Sequence, residues 1–231
     1  MTHFWEQQLT DIREQLLMMS GLTERNLSVA MRALVERDDK LADTAEAEDA
    51  QVDQLEVHID ELVIKFMATH GPIARDCRLM LAASKISNNL ERIADQATKI
   101  ARRARDLNTE PLLRPLIEIP MMADIAQEML RDSITAFVDE NSELAVEIIA
   151  RDYSVDSINK HFARELTEAM MADPKTITRA LSLMTVAKAI ERVADHATNI
   201  AEEVFYLYRG QNIRHEPSLK QAGRHEGPAA V

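Results

Sequence analysis

Between Ile73 and Leu107 the apolar residues Ala83, Ile86, Leu90, Ile93, Ala97, Ile100, Ala104 and Leu107 recur at alternating spacings of three and four. That period follows one face of an α-helix and predicts a single long amphipathic helix with a coiled-coil-like seam. One hundred positions later the pattern returns as Leu183, Val186, Ile190, Val193, Ala197, Ile200, Val204 and Leu207. The intervening residues repeat too: Leu90-Glu91-Arg92-Ile93-Ala94-Asp95-Gln96-Ala97 reads against Ile190-Glu191-Arg192-Val193-Ala194-Asp195-His196-Ala197. Similarity at a fixed offset over a whole helix points to an internal duplication.

Each copy holds more than this helix. Phe4, Trp5, Leu9, Ile12 and Leu16, continuing to Leu34, mark a first helix, and Val52, Leu55, Ile59, Leu62 and Phe66 mark a second. The Arg37-Asp38-Asp39 cluster and the His70-Gly71-Pro72 turn separate them. In the second copy helices are predicted over Pro120–Asp139, Ser142–Met171 and Pro174–Tyr208, with Asp173 as N-cap and Pro174 at the first helical position. Short connections between long helices force antiparallel neighbours. The expected fold is therefore all-α, with two tandem three-helix bundles: residues 1–108 and 120–209, a Pro-containing linker at 109–119, and a polar, disordered tail at 210–231.

Composition supports the helical reading, since 5 Gly, 7 Pro and 4% aromatics accompany 46% hydrophobic and 29% charged residues. A formal charge of −12 argues against nucleic acid as a partner and makes a cation the natural counterpart. A single Cys, Cys77, precludes an internal disulfide framework and suits a reducing compartment. Met1–Gln8 lacks the basic and apolar regions of a signal peptide, and charges interrupt every apolar stretch, so a cytoplasmic location without membrane insertion is expected.

The seam is flanked by acids. Glu91 and Asp95 lie four apart on one helical face, and Glu191 and Asp195 are their counterparts. The second helix carries Asp49, Asp53, Glu56 and Asp60, and the fifth carries Asp152 and Asp156. If the second and third helices fold back at Gly71, Glu91 comes level with about residue 51, between Asp49 and Asp53. A fold near Asp173 brings Glu191 level with about residue 155, between Asp152 and Asp156. Like charges four apart repel by roughly 0.2–0.5 kcal/mol each, and a hard multivalent cation such as Mg, Mn, Ca or Fe offsets that repulsion. The competing reading is a solvated helix face with Arg92 and Arg192 as counter-ions.

The strings Ile86-Ser87-Asn88-Asn89-Leu90-Glu91-Arg92-Ile93-Ala94-Asp95 and Ala189-Ile190-Glu191-Arg192-Val193-Ala194-Asp195-His196-Ala197-Thr198-Asn199-Ile200-Ala201-Glu202 resemble the repeated signature of the PhoU family, from about Phe4 to Tyr208. The resemblance implies a non-enzymatic negative regulator of phosphate uptake and of the phosphate-starvation regulon. Its expected partners are the phosphate ABC transporter ATPase and a sensor histidine kinase at the inner membrane, and a homodimer is expected. It also implies metal clusters, of Fe, Mn, Mg or Zn, on Asp49/Asp53 with Glu91/Asp95 and on Asp152/Asp156 with Glu191/Asp195. The chain departs from the family where Ala94 and Ala194 replace a frequent Gly, and where Lys188-Ala189 replace the polar pair seen as Asn88-Asn89. The alternative is a metal-dependent enzyme or metal-storage protein on the same scaffold.

His58, His161 and His196 sit near the stripes as further possible ligands. The Glu-x-x-His pair of carboxylate-bridged di-iron oxidases does not occur. Lys99, Arg102, Arg103 and Arg105 form a basic cluster suited to a phosphate or an acidic partner, or simply to a helix C-terminus.

Overall fold

The computed structural model describes residues 2–113 and 116–214, excepting the side chains of residues 2–6 and 70. Six long helices carry the described chain: α1 Thr2–Val35, α2 Asp39–His70, α3 Ala74–Asn108, α4 Glu118–Val138, α5 Ser142–Ala172 and α6 Ile177–Arg209. Local chemistry sets their ends. The Asp38 carboxylate accepts from the Lys40 amide at 2.8 Å and starts α2, and the Asn141 side chain accepts from the Leu144 amide at 3.0 Å and starts α5. Gly71 and Gly210, both at positive φ, end α2 and α6 in the left-handed conformation that closes a helix.

Two boundaries differ from the sequence expectation. Pro120 lies inside the first turn of α4, where its missing N–H has no helical partner to lose. Asp173 and Pro174 open a short 3-10 turn, Pro174–Thr176, with α6 following it. The connection between α3 and α4 occupies 109–117, of which residues 114 and 115 lie outside the description.

The two repeated helices are the hubs. α3 packs on α1, α2 and α6, and α6 packs on α4, α5 and α3. Both seams are inside: Ile86, Leu90, Ile93, Ala97 and Ile100 are fully buried, as are Val186, Val193, Ala197, Ile200 and Val204. One continuous hydrophobic core therefore joins both copies, and the bundles sit side by side along α3 and α6.

α3 and α6 run antiparallel. Arg78 Nε donates to the Leu207 carbonyl at 3.2 Å, the Lys85 ammonium reaches the Glu203 carboxylate at 3.4 Å, and the Asn199 amide reaches Asn89 at 3.4 Å. With the offset of one hundred between copies, this register sets Ala94 opposite Ala194 on a local two-fold axis. Ala97, Ala101, Ala197 and Ala201 are likewise fully buried, and small side chains along a seam let two helix axes approach closely.

Arginines tie the ends to this spine. Arg37, at φ 57°, donates to the carbonyls of Leu107, Asn108 and Glu110 and so satisfies the C-terminus of α3. Beyond Gly210, Ile213 is buried and the Arg214 guanidinium pairs with the buried Glu203, so residues 211–214 pack back on the bundle. The rest of the expected disordered tail, 215–231, lies outside the described residues.

Candidate functional site

The acidic face of the first bundle is built by the α2–α3 hairpin. The Ser84 hydroxyl donates to Asp60 at 2.7 Å, and the Asn88 amide donates to Glu56 at 3.0 Å. These pairs centre the hairpin on Pro72, one residue beyond Gly71, so Glu91 lies level with Asp53 and Asp95 with Asp49. The expected level of about 51 is thus displaced by two residues, because the connection Gly71–Ile73 has its midpoint at Pro72.

Electrostatics records the resulting crowding. Burial, reinforced by the neighbouring carboxylates Asp53 and Asp95, raises the Asp49 carboxyl above the usual aspartate range, while the Thr98 hydroxyl and Arg102 partly oppose this. Burial also raises Glu91, helped by Asp95, Glu56 and Asp53 and opposed by Arg92. Arg92 approaches Glu91 at 3.3 Å and Asp95 at 4.0 Å, but its side chain is half exposed, so it offsets the cluster weakly. Oxygen-only donors of this kind fit a hard cation rather than a soft one. Among the described residues, however, no three His, Cys, Asp or Glu groups converge on a common point. The four carboxylates share a level while remaining splayed.

The second bundle is different. Glu191 is covered, and the Lys188 ammonium contacts it directly, while Lys160 lies 3.4 Å from Asp156. Asp152 is half-buried and Asp195 exposed. Lys188 stands where the first copy has Asn88, so Glu191 is contacted by a lysine at a position where the first face, whose nearest cation is Arg92, has a neutral amide.

Of the candidate histidines, His58 is exposed and His161 pairs with Glu165 at 3.4 Å rather than with a stripe residue. His196 lies in the α3–α6 crossing with Nδ1 3.0 Å from Asn89 Oδ1. Burial, together with the neighbouring Arg92, Arg192 and Lys99, pushes its imidazole down to about 4. It is neutral at neutral pH. The basic cluster near the end of α3 divides: Arg102 and Arg105 pair with Glu46, Arg105 also with Asp43, and Arg103 with Asp106, whereas Lys99 turns into the crossing.

That crossing was not anticipated. A groove of about 400 Å³ runs between α3 and α6, lined by Arg92, Lys99 and Arg192 together with Asp95, Asp195 and His196. Its signal was present in the sequence as the spacing Arg92, Gln96, Lys99 and its copy Arg192, His196, Asn199, a polar stripe beside each seam. Only the antiparallel packing of the two stripes turns them into one concavity. No described helix is long and apolar enough to cross a membrane.

Comparison with known proteins places the chain among relatives. The PhoU domain profile matches twice, over residues 16–104 and 119–204, one match per copy. The chain is 38% identical over 236 residues to the phosphate-specific transport system accessory protein PhoU homolog of Pseudomonas putida, covering 100% of this chain and 92% of that one. It is 39% identical over 220 residues to the homolog of the same name from Pseudomonas aeruginosa, covering 93% and 91%. The crystal structure of PhoU from Pseudomonas aeruginosa superimposes with a TM-score of 0.88 at 38% identity, covering 90% of this chain and 100% of the other.

Proposed function

Because the chain belongs to the PhoU family, matched in both halves and along its full length, we propose that it is an accessory, regulatory protein of phosphate-specific transport. The observation that carries this reading is end-to-end similarity to relatives named for that role, with the domain matched once in each copy. In this reading the chain restrains phosphate uptake and holds the starvation response off by docking on the transporter ATPase and on a sensor histidine kinase. Self-association as a homodimer belongs to the same reading.

The two acidic faces are its cation-binding elements. Asp49, Asp53, Glu91 and Asp95 would hold a hard ion on the first bundle, and Asp152, Asp156, Glu191 and Asp195 on the second. A bound ion would supply positive charge there. The chain's own contribution is to hold carboxylates of two helices level, where burial first and the neighbouring carboxylates second raise Asp49 and Glu91. Such a face can change its charge with cation supply, and a face that changes charge can change its docking partner.

The test is capture of purified transporter ATPase and sensor-kinase cytoplasmic domain by the full chain, measured by surface plasmon resonance with and without Mn²⁺. Saturable binding to either partner is expected. Absence of binding to both, together with turnover of a phosphoester by the purified chain, would replace the regulator with the enzyme reading.

A further inference from the structure

We propose that the groove at the crossing of α3 and α6 is a binding site for inorganic phosphate, recognised as an oxyanion that still carries one proton. The molecule's formal charge is −12, yet three cationic side chains, Arg92, Lys99 and Arg192, line this single groove. All three line the same concavity with their heads exposed to solvent, and all are among the charged neighbours of His196. Like charges so gathered repel, and a multivalent anion between them removes the repulsion.

Donor geometry favours an oxyanion. Each guanidinium offers a planar fork of N–H groups suited to two oxygens of a tetrahedral anion, and the local two-fold sets one fork on each helix. Arg92 keeps free donors, because its contacts to Glu91 and Asp95 are 3.3 and 4.0 Å long and half exposed. Lys99 makes only a 3.5 Å contact to the Gln96 side-chain oxygen Oε1, and the Asn199 side chain adds a neutral donor. A volume of about 400 Å³ lies at the low end of the small-ligand range, with room for the anion and ordered water.

The two carboxylates in the same groove choose among anions. Asp95 and Asp195 are acceptors only, and each repels a fully deprotonated oxyanion. Hydrogen phosphate at neutral pH carries a P–O–H that can donate to one of them, whereas sulfate and the dianion of a phosphate monoester carry no such proton. A groove of cations alone would not discriminate. This mixed one prefers free phosphate, and it requires no metal on the acidic faces.

The experiment is titration of the chelator-treated full chain with inorganic phosphate at constant ionic strength, by calorimetry and by ³¹P line broadening. Saturable binding is expected, with sulfate and phenyl phosphate each weaker by about tenfold, the loss of one charge-assisted hydrogen bond. Arg92→Gln with Arg192→Gln should weaken phosphate by about a hundredfold, one such bond at each fork, and Lys99→Gln by about tenfold. Lys65→Gln, an exposed cation of α2 outside the groove, should leave binding unchanged. Circular dichroism checks the double variant's fold, and the exposed single change Lys99→Gln carries the test if that fold is lost. Wild-type affinity in the double variant, equal affinity for sulfate, or uptake of phosphate only after Mn²⁺ is added would each overturn the proposal.

Discussion

Replacing Lys188 by Asn removes the cation that contacts Glu191 and leaves at that position the neutral amide found in the first bundle. In the first, Asn88 donates to Glu56 at 3.0 Å and contributes no charge. In the second, the Lys188 ammonium contacts Glu191, whose side chain is 13% exposed against 53% for the lysine. At about 4 Å an ion pair gains roughly 1 kcal/mol in water and about 4 kcal/mol at a surface-like dielectric. Exposed pairs retain about 1 kcal/mol or less after side-chain entropy and screening. With one partner covered and one exposed, a cation entering the second face forgoes about 1 kcal/mol, a factor of about five in affinity. Mn²⁺ titration by calorimetry, on variants in which the other face is silenced by Asp→Asn changes, isolates each site. The first face should bind about fivefold more tightly than the second, Lys188→Asn or Asn88→Lys alone should each remove that difference, and only the two exchanges together should invert it. Equal affinity of the two wild-type faces, unmoved by Lys188→Asn, would refute the electrostatic argument, and silence of both faces would remove the cation reading itself.

The His196 imidazole sits at about 4 in the fold against an ordinary 6.5, so the unfolded chain binds the proton more tightly between those values. Stability should therefore fall as pH drops from about 6.5 to about 4, and His196→Gln should flatten that part of the urea-denaturation profile. At Arg37, φ is 57° and the side chain holds three carbonyls, so Arg37→Ala loses the cap and keeps the strain. Arg37→Gly should be less destabilising than Arg37→Ala by about 1 kcal/mol in chemical denaturation, since Gly carries no left-handed penalty. Phe162→Ala, fully buried, should cost about 3–5 kcal/mol, while Ile64→Ala, 68% exposed, should stay within about 0.5 kcal/mol. Ala94→Leu, on the two-fold where the long helices meet, should cost about 1–3 kcal/mol or more by overpacking and lower the thermal midpoint.

Much of the candidate site was legible in one dimension because a helix turns every 3.6 residues whatever its surroundings. That periodicity is enough to put Glu91 beside Asp95 and Glu191 beside Asp195, to bury Ile93 and Val193, and to reveal the duplication. Hairpin logic then brought the α2 and α3 acids to one level, missing by two residues because Gly71, Pro72 and Ile73 are all non-helical and the turn is centred on Pro72 rather than Gly71. That Glu91 and Asp49 are raised, and that Lys188 closes on Glu191, depended on burial and rotamers, which spacing does not encode.

By itself, then, the sequence determined the six helices, their inward faces, the doubling and the acidic stripes, all consequences of contacts within a few residues or of repetition. Only the tertiary structure decided that α3 and α6 cross antiparallel, that both copies share one core, and that Arg92, Arg192 and Lys99 meet around His196 in a single groove. Those arrangements join residues about a hundred positions apart. Their register is set by which small side chains allow two helix axes to approach, and that is a property of the packed pair rather than of either strand of sequence.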